Sequence, residues 1–214
     1  LALRLLQKHA QVNEVLIIKP INSVNNIIAE LLQASGSCNA LMLYTDARNF
    51  LLSTLKKGEE AKQQQRVMFD LLRCDFPHLS QLGLSDVINM SDLKVSLTLW
   101  RLQLQQAEQA LNNPSLNGRI QSLYAENIIK NSDAALHATN NFLELGIPND
   151  ALDDIVNGDL STQDAKDINR QFSVAKREAS YQRIEEFYGD DLANGYQWLT
   201  TNNPSVSLMP KLSA

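Results

Sequence analysis

The sequence predicts an α/β fold in which a thin parallel sheet lies under a heavy covering of helices, and three observations carry this. Residues 14–19 (EVLIIK) and 40–44 (ALMLY) are short, continuously apolar runs, as expected of strands covered on both faces. A helical pattern separates them, and a strand–helix–strand order in one sheet requires parallel pairing. Residues 91–111 then form a long amphipathic helix, with Leu93, Leu97, Trp100, Leu104, Ala107 and Leu111 at steps of three and four.

In chain order, residues 1–11 read as the middle of an amphipathic helix with no start signal, so the sequence is expected to begin inside a domain. Pro20 stops the first strand. Asn22 or Ser23 is placed to cap a helix running to about Gln33, and Ala34-Ser35-Gly36-Ser37 turns the chain back into the second strand. Asp46 caps the next helix, whose Phe50, Leu51, Leu52 and Leu55 are expected to pack inward and which Gly58 ends. The polar run 59–66 continues into MFDLLRCDF as a further helix until Pro77, and residues 78–90 read as a loop.

Ser91 or Asp92 opens the long helix, which Asn112-Asn113-Pro114 and Asn117-Gly118 break. Residues 119–124 (RIQSLY) alternate as a third strand. Ser132 or Asp133 starts a helix ended by Gly146 and Pro148, and 149–156 is a short helix. Two more helices fill 173–188 and 190–200, before a proline-broken polar tail over 201–214. Three strands are few for a sheet, which again points to structure upstream of Leu1. Residues 1–200 are expected to form one domain.

The 19 basic and 24 acidic residues give a net charge of −5, which argues against general attraction to nucleic acid or to an anionic membrane. Any anion site must therefore be local. No apolar run reaches the length of a membrane span. Cys38 and Cys74 lack a CxxC or Cys/His spacing and read as small hydrophobes of a reducing, cytoplasmic compartment. His9, His78 and His137 are far apart in sequence, with no partner at metal or triad spacing.

Chemistry is expected at the strand-to-helix junction of residues 41–60 (LMLYTDARNFLLSTLKKGEE), because open α/β sheets hold ligands at the carboxyl ends of their strands. Two strand ends would bring Lys19, Arg48 and Ser53 to one edge. The order of elements and several local residues here resemble the P-loop sulfotransferases, in particular a loosely related bacterial group of that family. In the family a strand ends in a basic residue and opens a helix bearing a serine, and these two groups hold the 3′-phosphate of the donor. Ser53 matches the serine; the arginine position, eight residues earlier, is Thr45, and Arg48 is the candidate to replace it. Lys19 matches the lysine that approaches the transferred sulfuryl group, while Ile21 stands where many members carry a histidine base.

The resemblance continues through Tyr124 and Glu126, near the family's tyrosine–glutamate pair. Asp164-Ala165-Lys166 is similar to the basic segment closing over the donor, with Lys166 the better match and Arg170 the second. It spans roughly residues 14–185. It implies a P-loop NTPase-like three-layer α/β/α fold and the donor 3′-phosphoadenosine 5′-phosphosulfate. The implied reaction is transfer of a sulfuryl group to a hydroxyl or amine on a small-molecule or glycan acceptor, with Lys19 catalytic and Ser53, Arg48, Thr45 and Lys166 on the nucleotide. The family's Gly-rich phosphosulfate loop has no counterpart in the sequence, so a non-catalytic nucleotide-binding or scaffold descendant is the alternative. A mainly helical protein-interaction domain is the third reading.

Overall fold

A computed structural model of the chain describes residues 14–158, 162–164, 167–202 and 211–212. The expected helix at residues 1–11, His9 and Lys166 lie outside the described residues.

The described chain is mostly helical around a small parallel sheet. A 3-10 helix (Asn22–Ile27) leads into α1 (Ile28–Ser35), with Ile21 at the cap position and no side-chain cap from Asn22 or Ser23. β1 (Ala40–Tyr44) follows, then α2 (Ala47–Lys57) and α3 (Glu59–Leu72). The stretch expected to be a loop contains two short helices, α4 (Pro77–Ser80) and α5 (Leu84–Asn89). Pro77 starts α4 instead of only ending what precedes it, as a proline at the first helical position does. Arg66 ties this region down by donating to the carbonyls of Val87, at 3.2 Å, and Met90, at 2.7 Å.

α6 (Asp92–Leu111) is the long helix expected from the periodicity, and the Ser91 side chain accepts from the Lys94 N–H at 3.3 Å to cap it. Buried residues on different faces of α6 enter three separate core clusters. Leu104, Ala107, Ala110 and Leu111 pack with Leu32, Leu116 and Ile120; Leu97 packs with Leu51, Leu52, Tyr181 and Leu192; Val95 and Leu102 pack with Phe69, Phe76 and Val87. A helix apolar on several faces is one that sits inside. α6 is therefore the pillar that the other layers share.

β2 (Ile120–Tyr124) pairs with β1 in parallel, in a register that sets Ala40 beside Ile120 and Tyr44 beside Tyr124. Residues 14–20 do not form the expected first strand: they have no regular secondary structure, and Ile17 is 66% exposed. An apolar β-branched run becomes a strand only where a neighbour pairs its backbone and covers its faces. In the described structure β1 takes its parallel partner from β2, far downstream. On the other side of β2, Lys211 forms a parallel bridge with Ser122, and the Leu212 N–H donates to the Ser122 carbonyl at 2.8 Å. Part of the expected polar tail thus lies along the sheet.

α7 (Ala125–Lys130), α8 (Ser132–Leu143) and α9 (Asn149–Asn157) follow β2. Next comes an antiparallel hairpin of β3 (Gln163–Asp164) and β4 (Asp167–Gln171), which the sequence does not announce. α10 (Val174–Asn202) takes the place of the two expected helices and bends at Tyr188, beside Gly189, where they were expected to part. No helix among the described residues is long and apolar enough to cross a membrane.

Candidate functional site

A cleft of about 550 Å³ opens at the carboxyl end of β1, walled by the 3-10 helix, α2, α3 and α6. It lies at the strand-to-helix junction where an anion site is expected, and its size is ordinary for a small-molecule site. β1 ends at Tyr44, and Asp46 turns the chain into α2. Its Oδ1 accepts from the Asn49 N–H at 2.8 Å; its Oδ2 accepts from the Asn49 amide at 2.7 Å and from the Tyr124 hydroxyl. Burial alone would raise the Asp46 carboxyl, but these donors outweigh it and hold the group below its ordinary value. The same contact acts oppositely on Tyr124: burial first, then the bond to Asp46, push its hydroxyl up to about 12. The Tyr44 and Tyr124 rings lie 5.4 Å apart, joining the two strand ends.

Helix geometry then sorts the side chains of α2. With 3.6 residues per turn, positions three and four apart share a face. Phe50, Ser53, Thr54 and Lys57 form one such stripe and line the cleft. Arg48, Leu51, Leu52 and Leu55 form another. The three leucines are buried against Leu97, Tyr181 and Leu192, and Arg48 makes a two-pronged ion pair with Glu185 of α10, at 2.7 and 2.9 Å. Five residues separate Arg48 from Ser53, an angle of about 140° around the helix. Arg48 therefore lies on a different face of α2 from Ser53, and its fork is filled by a carboxylate.

The far wall comes from α3 and α6. The Gln65 amide donates to Thr54 Oγ1 at 2.7 Å and its carbonyl accepts from the Ser96 hydroxyl, so three polar side chains from three helices lock the floor. Gln103 of α6 accepts from the Asn25 amide at 2.5 Å, while its own Nε2 is buried without a partner among the described residues. Trp100 lines the cleft and donates from its indole to the Thr45 carbonyl at 2.9 Å, fixing the end of β1 to α6. The rest of the lining is amide, hydroxyl, aromatic, thioether and aliphatic, the last from Ile21, Leu43, Ala61, Leu99 and Leu104. Lys57 is its one formal charge among the described residues, and no carboxylate lines it.

Of the expected site residues, Ser53 and Thr45 line this cleft together. The Ser53 side chain is half-buried. Lys19 lies in the exposed segment before the rim; Ile21, two residues on, is part of the lining. Glu126 is buried away from the cleft, where Arg177 grips it with both terminal nitrogens while lying 4.9 Å from the centroid of the Tyr181 ring. That pair holds α7 to α10. Lys57, Gln65 and Gln103 also line the cleft and were not candidate site residues in the sequence, where Lys57 reads as part of a helix end. Lys57 was legible as the residue four beyond Ser53, hence on its face, whereas Gln103 showed only as a polar interruption beside the Trp100–Leu104 stripe.

Comparison with known proteins gives no match to this chain among family models, curated proteins or solved structures.

Proposed function

We propose that this domain binds a nucleotide bearing a phosphate or phosphosulfate group in the cleft beyond β1, with 3′-phosphoadenosine 5′-phosphosulfate the reference ligand. The observation that carries the reading is the cleft's charge pattern. Ser53 and Lys57 stand one helical turn apart on its α2 wall, an unpartnered Gln103 donor lies on its α6 side, and no carboxylate lines it among the described residues. A hydroxyl and an ammonium on adjacent turns offer an anion a hydrogen bond and a charge together. The ring surfaces of Tyr44, Phe50 and Trp100 suit a nucleobase, which stacks without regard to sequence. Binding is preferred over catalysis because the groups on which the sulfotransferase resemblance relies for charge stabilisation are dispersed: Arg48 pairs with Glu185, and Lys19 precedes the rim.

Sulfuryl transfer is the second reading, favoured by the place of Ile21 in the lining only two residues from Lys19. In that reaction the sulfur–oxygen bond to the donor phosphate breaks, a new one forms to the acceptor hydroxyl, and the acceptor proton must leave to a base. The test of binding is thermal melting with 3′-phosphoadenosine 5′-phosphate, the donor's desulfated form. At a hundredfold excess over Kd, ligand stabilises the folded state by about 2.7 kcal/mol. The melting temperature is expected to rise in the parent and in Arg48→Ala, and to stay flat in Ser53→Ala. No rise at millimolar ligand contradicts the proposal. Release of 3′-phosphoadenosine 5′-phosphate from the donor, dependent on Lys19, would establish transfer.

A further inference from the structure

We infer that Asp133, His137 and Asp153 form a site for a zinc-class divalent cation that joins α8 to α9. The site is separate from the cleft and independent of the nucleotide reading. Asp133 and His137 are four residues apart on α8 and so share one face. α9 packs beside that face and presents Asp153. His137 Nε2 lies 3.4 Å from Asp133 Oδ1 and 4.0 Å from Asp153 Oδ1, and one donor atom from each residue lies within 4.8 Å of the others. Tetrahedral zinc with bonds of about 2.0–2.1 Å separates its ligand atoms by roughly 3.3 Å, so small side-chain rotations bring these three into range.

Contacts that involve none of the three residues hold the two helices in place. Asn140 of α8 clamps the connecting loop, accepting from the Ile147 N–H and donating to the Ile147 carbonyl, each at 3.0 Å. Leu152 of α9 is fully buried. The carboxylates are thus brought together before any ion arrives. The charge is also unbalanced: α8 and α9 carry Asp133, Asp150, Asp153 and Asp154, and neither has a lysine or arginine. An imidazole beside two carboxylates selects a borderline ion such as Zn²⁺ over Mg²⁺ or Ca²⁺, which take oxygen ligands. Water completes the coordination, since the two carboxylates are exposed.

The sequence showed half of this. The spacing of Asp133 and His137 is a metal-compatible pair on a helix, contrary to the expectation that His137 has no such partner. The third ligand comes from the next helix and needed the fold.

The test is calorimetric titration of the full chain with Zn²⁺ in a non-chelating buffer, with His137→Ala and Asp153→Asn alongside and circular dichroism to verify that each is folded. One ion per chain is expected at micromolar Kd, weakened at least tenfold in either variant, with Mg²⁺ silent. The melting temperature of the parent should rise by roughly 5 °C at a hundredfold excess over Kd. Absence of saturable binding below millimolar Zn²⁺, or an affinity unchanged in both variants, overturns the inference. The second outcome would assign the ion elsewhere, with exposed Cys74 the first place to look.

Discussion

Asp46 concentrates several functions in one carboxylate: it caps α2, orients Asn49 and takes the Tyr124 hydroxyl. Its lowered pKa contributes stability that is present above the unfolded value of about 3.9 and is lost as pH falls through the folded value. Tyr124 behaves in the opposite sense. Its hydroxyl is pushed up to about 12, so its contribution is complete below the unfolded value of about 10 and fades as pH rises toward 12. Tyr196 is also pushed up to about 12, chiefly by burial, and its hydroxyl is buried with no partner among the described residues. Ultraviolet titration should therefore find at least two of the five tyrosines ionising late, and Tyr124→Phe should remove one of them. Denaturant curves should show the parent losing stability between pH 10 and 12 on account of Tyr124, a loss that Tyr124→Phe removes. Tyrosines that all titrate near 10 in the folded protein would refute the Asp46–Tyr124 contact. The sequence made Asp46 legible as a cap, because the residue type and its place before a helix suffice. Tyr124 as its partner was not legible, since the contact depends on β1 and β2 being neighbours.

At the scale of elements, Gly58 is the joint on which the cleft depends. It ends α2 and precedes α3 with φ 73° and ψ −151°, a backbone region that only glycine occupies readily. A Cβ there would meet no atom within 4 Å, so the cost of Gly58→Ala is conformational and not a clash. Destabilisation of about 1–3 kcal/mol is expected, read as a lower denaturant midpoint at unchanged slope. A neutral substitution would show that the α2–α3 junction is built differently. The elements best read from sequence were those with a local signature. β1, β2 and α6 lie close to where their patterns put them, because continuous apolarity, alternation and a sustained helical stripe each encode burial directly. Residues 14–19 carry as strong a strand pattern as β1 but remain exposed, since a strand also needs a neighbour. The β3–β4 hairpin gave no warning, because QDAKDINRQ is polar and lacks alternation. Arg48 shows the same limit within the site: its distance from Ser53 along the chain looked favourable, but its angle around α2 turns it toward Glu185.

Across the whole molecule, one buried helix organises both the core and the cleft. Leu97, Leu102 and Leu104 reach three clusters, while Trp100 and Gln103 of the same helix face the cleft. The hydroxyl of Ser53 and the ammonium of Lys57 come from α2 and the amides of Gln65 and Gln103 from α3 and α6, so the cleft is a property of the assembled domain and of no single motif. This is why a linear reading singles out Ser53 and Thr45 among the lining residues but not Gln103. Binding of a phosphate-bearing nucleotide in this cleft is read by mapping backbone amide shifts in an NMR titration of the chain with 3′-phosphoadenosine 5′-phosphate. Saturable shifts are expected, concentrated at Asn25, Thr45, Ser53, Lys57 and Gln103 and absent in Ser53→Ala. Shifts confined to the Arg48–Glu185 face, or none at millimolar ligand, would contradict it.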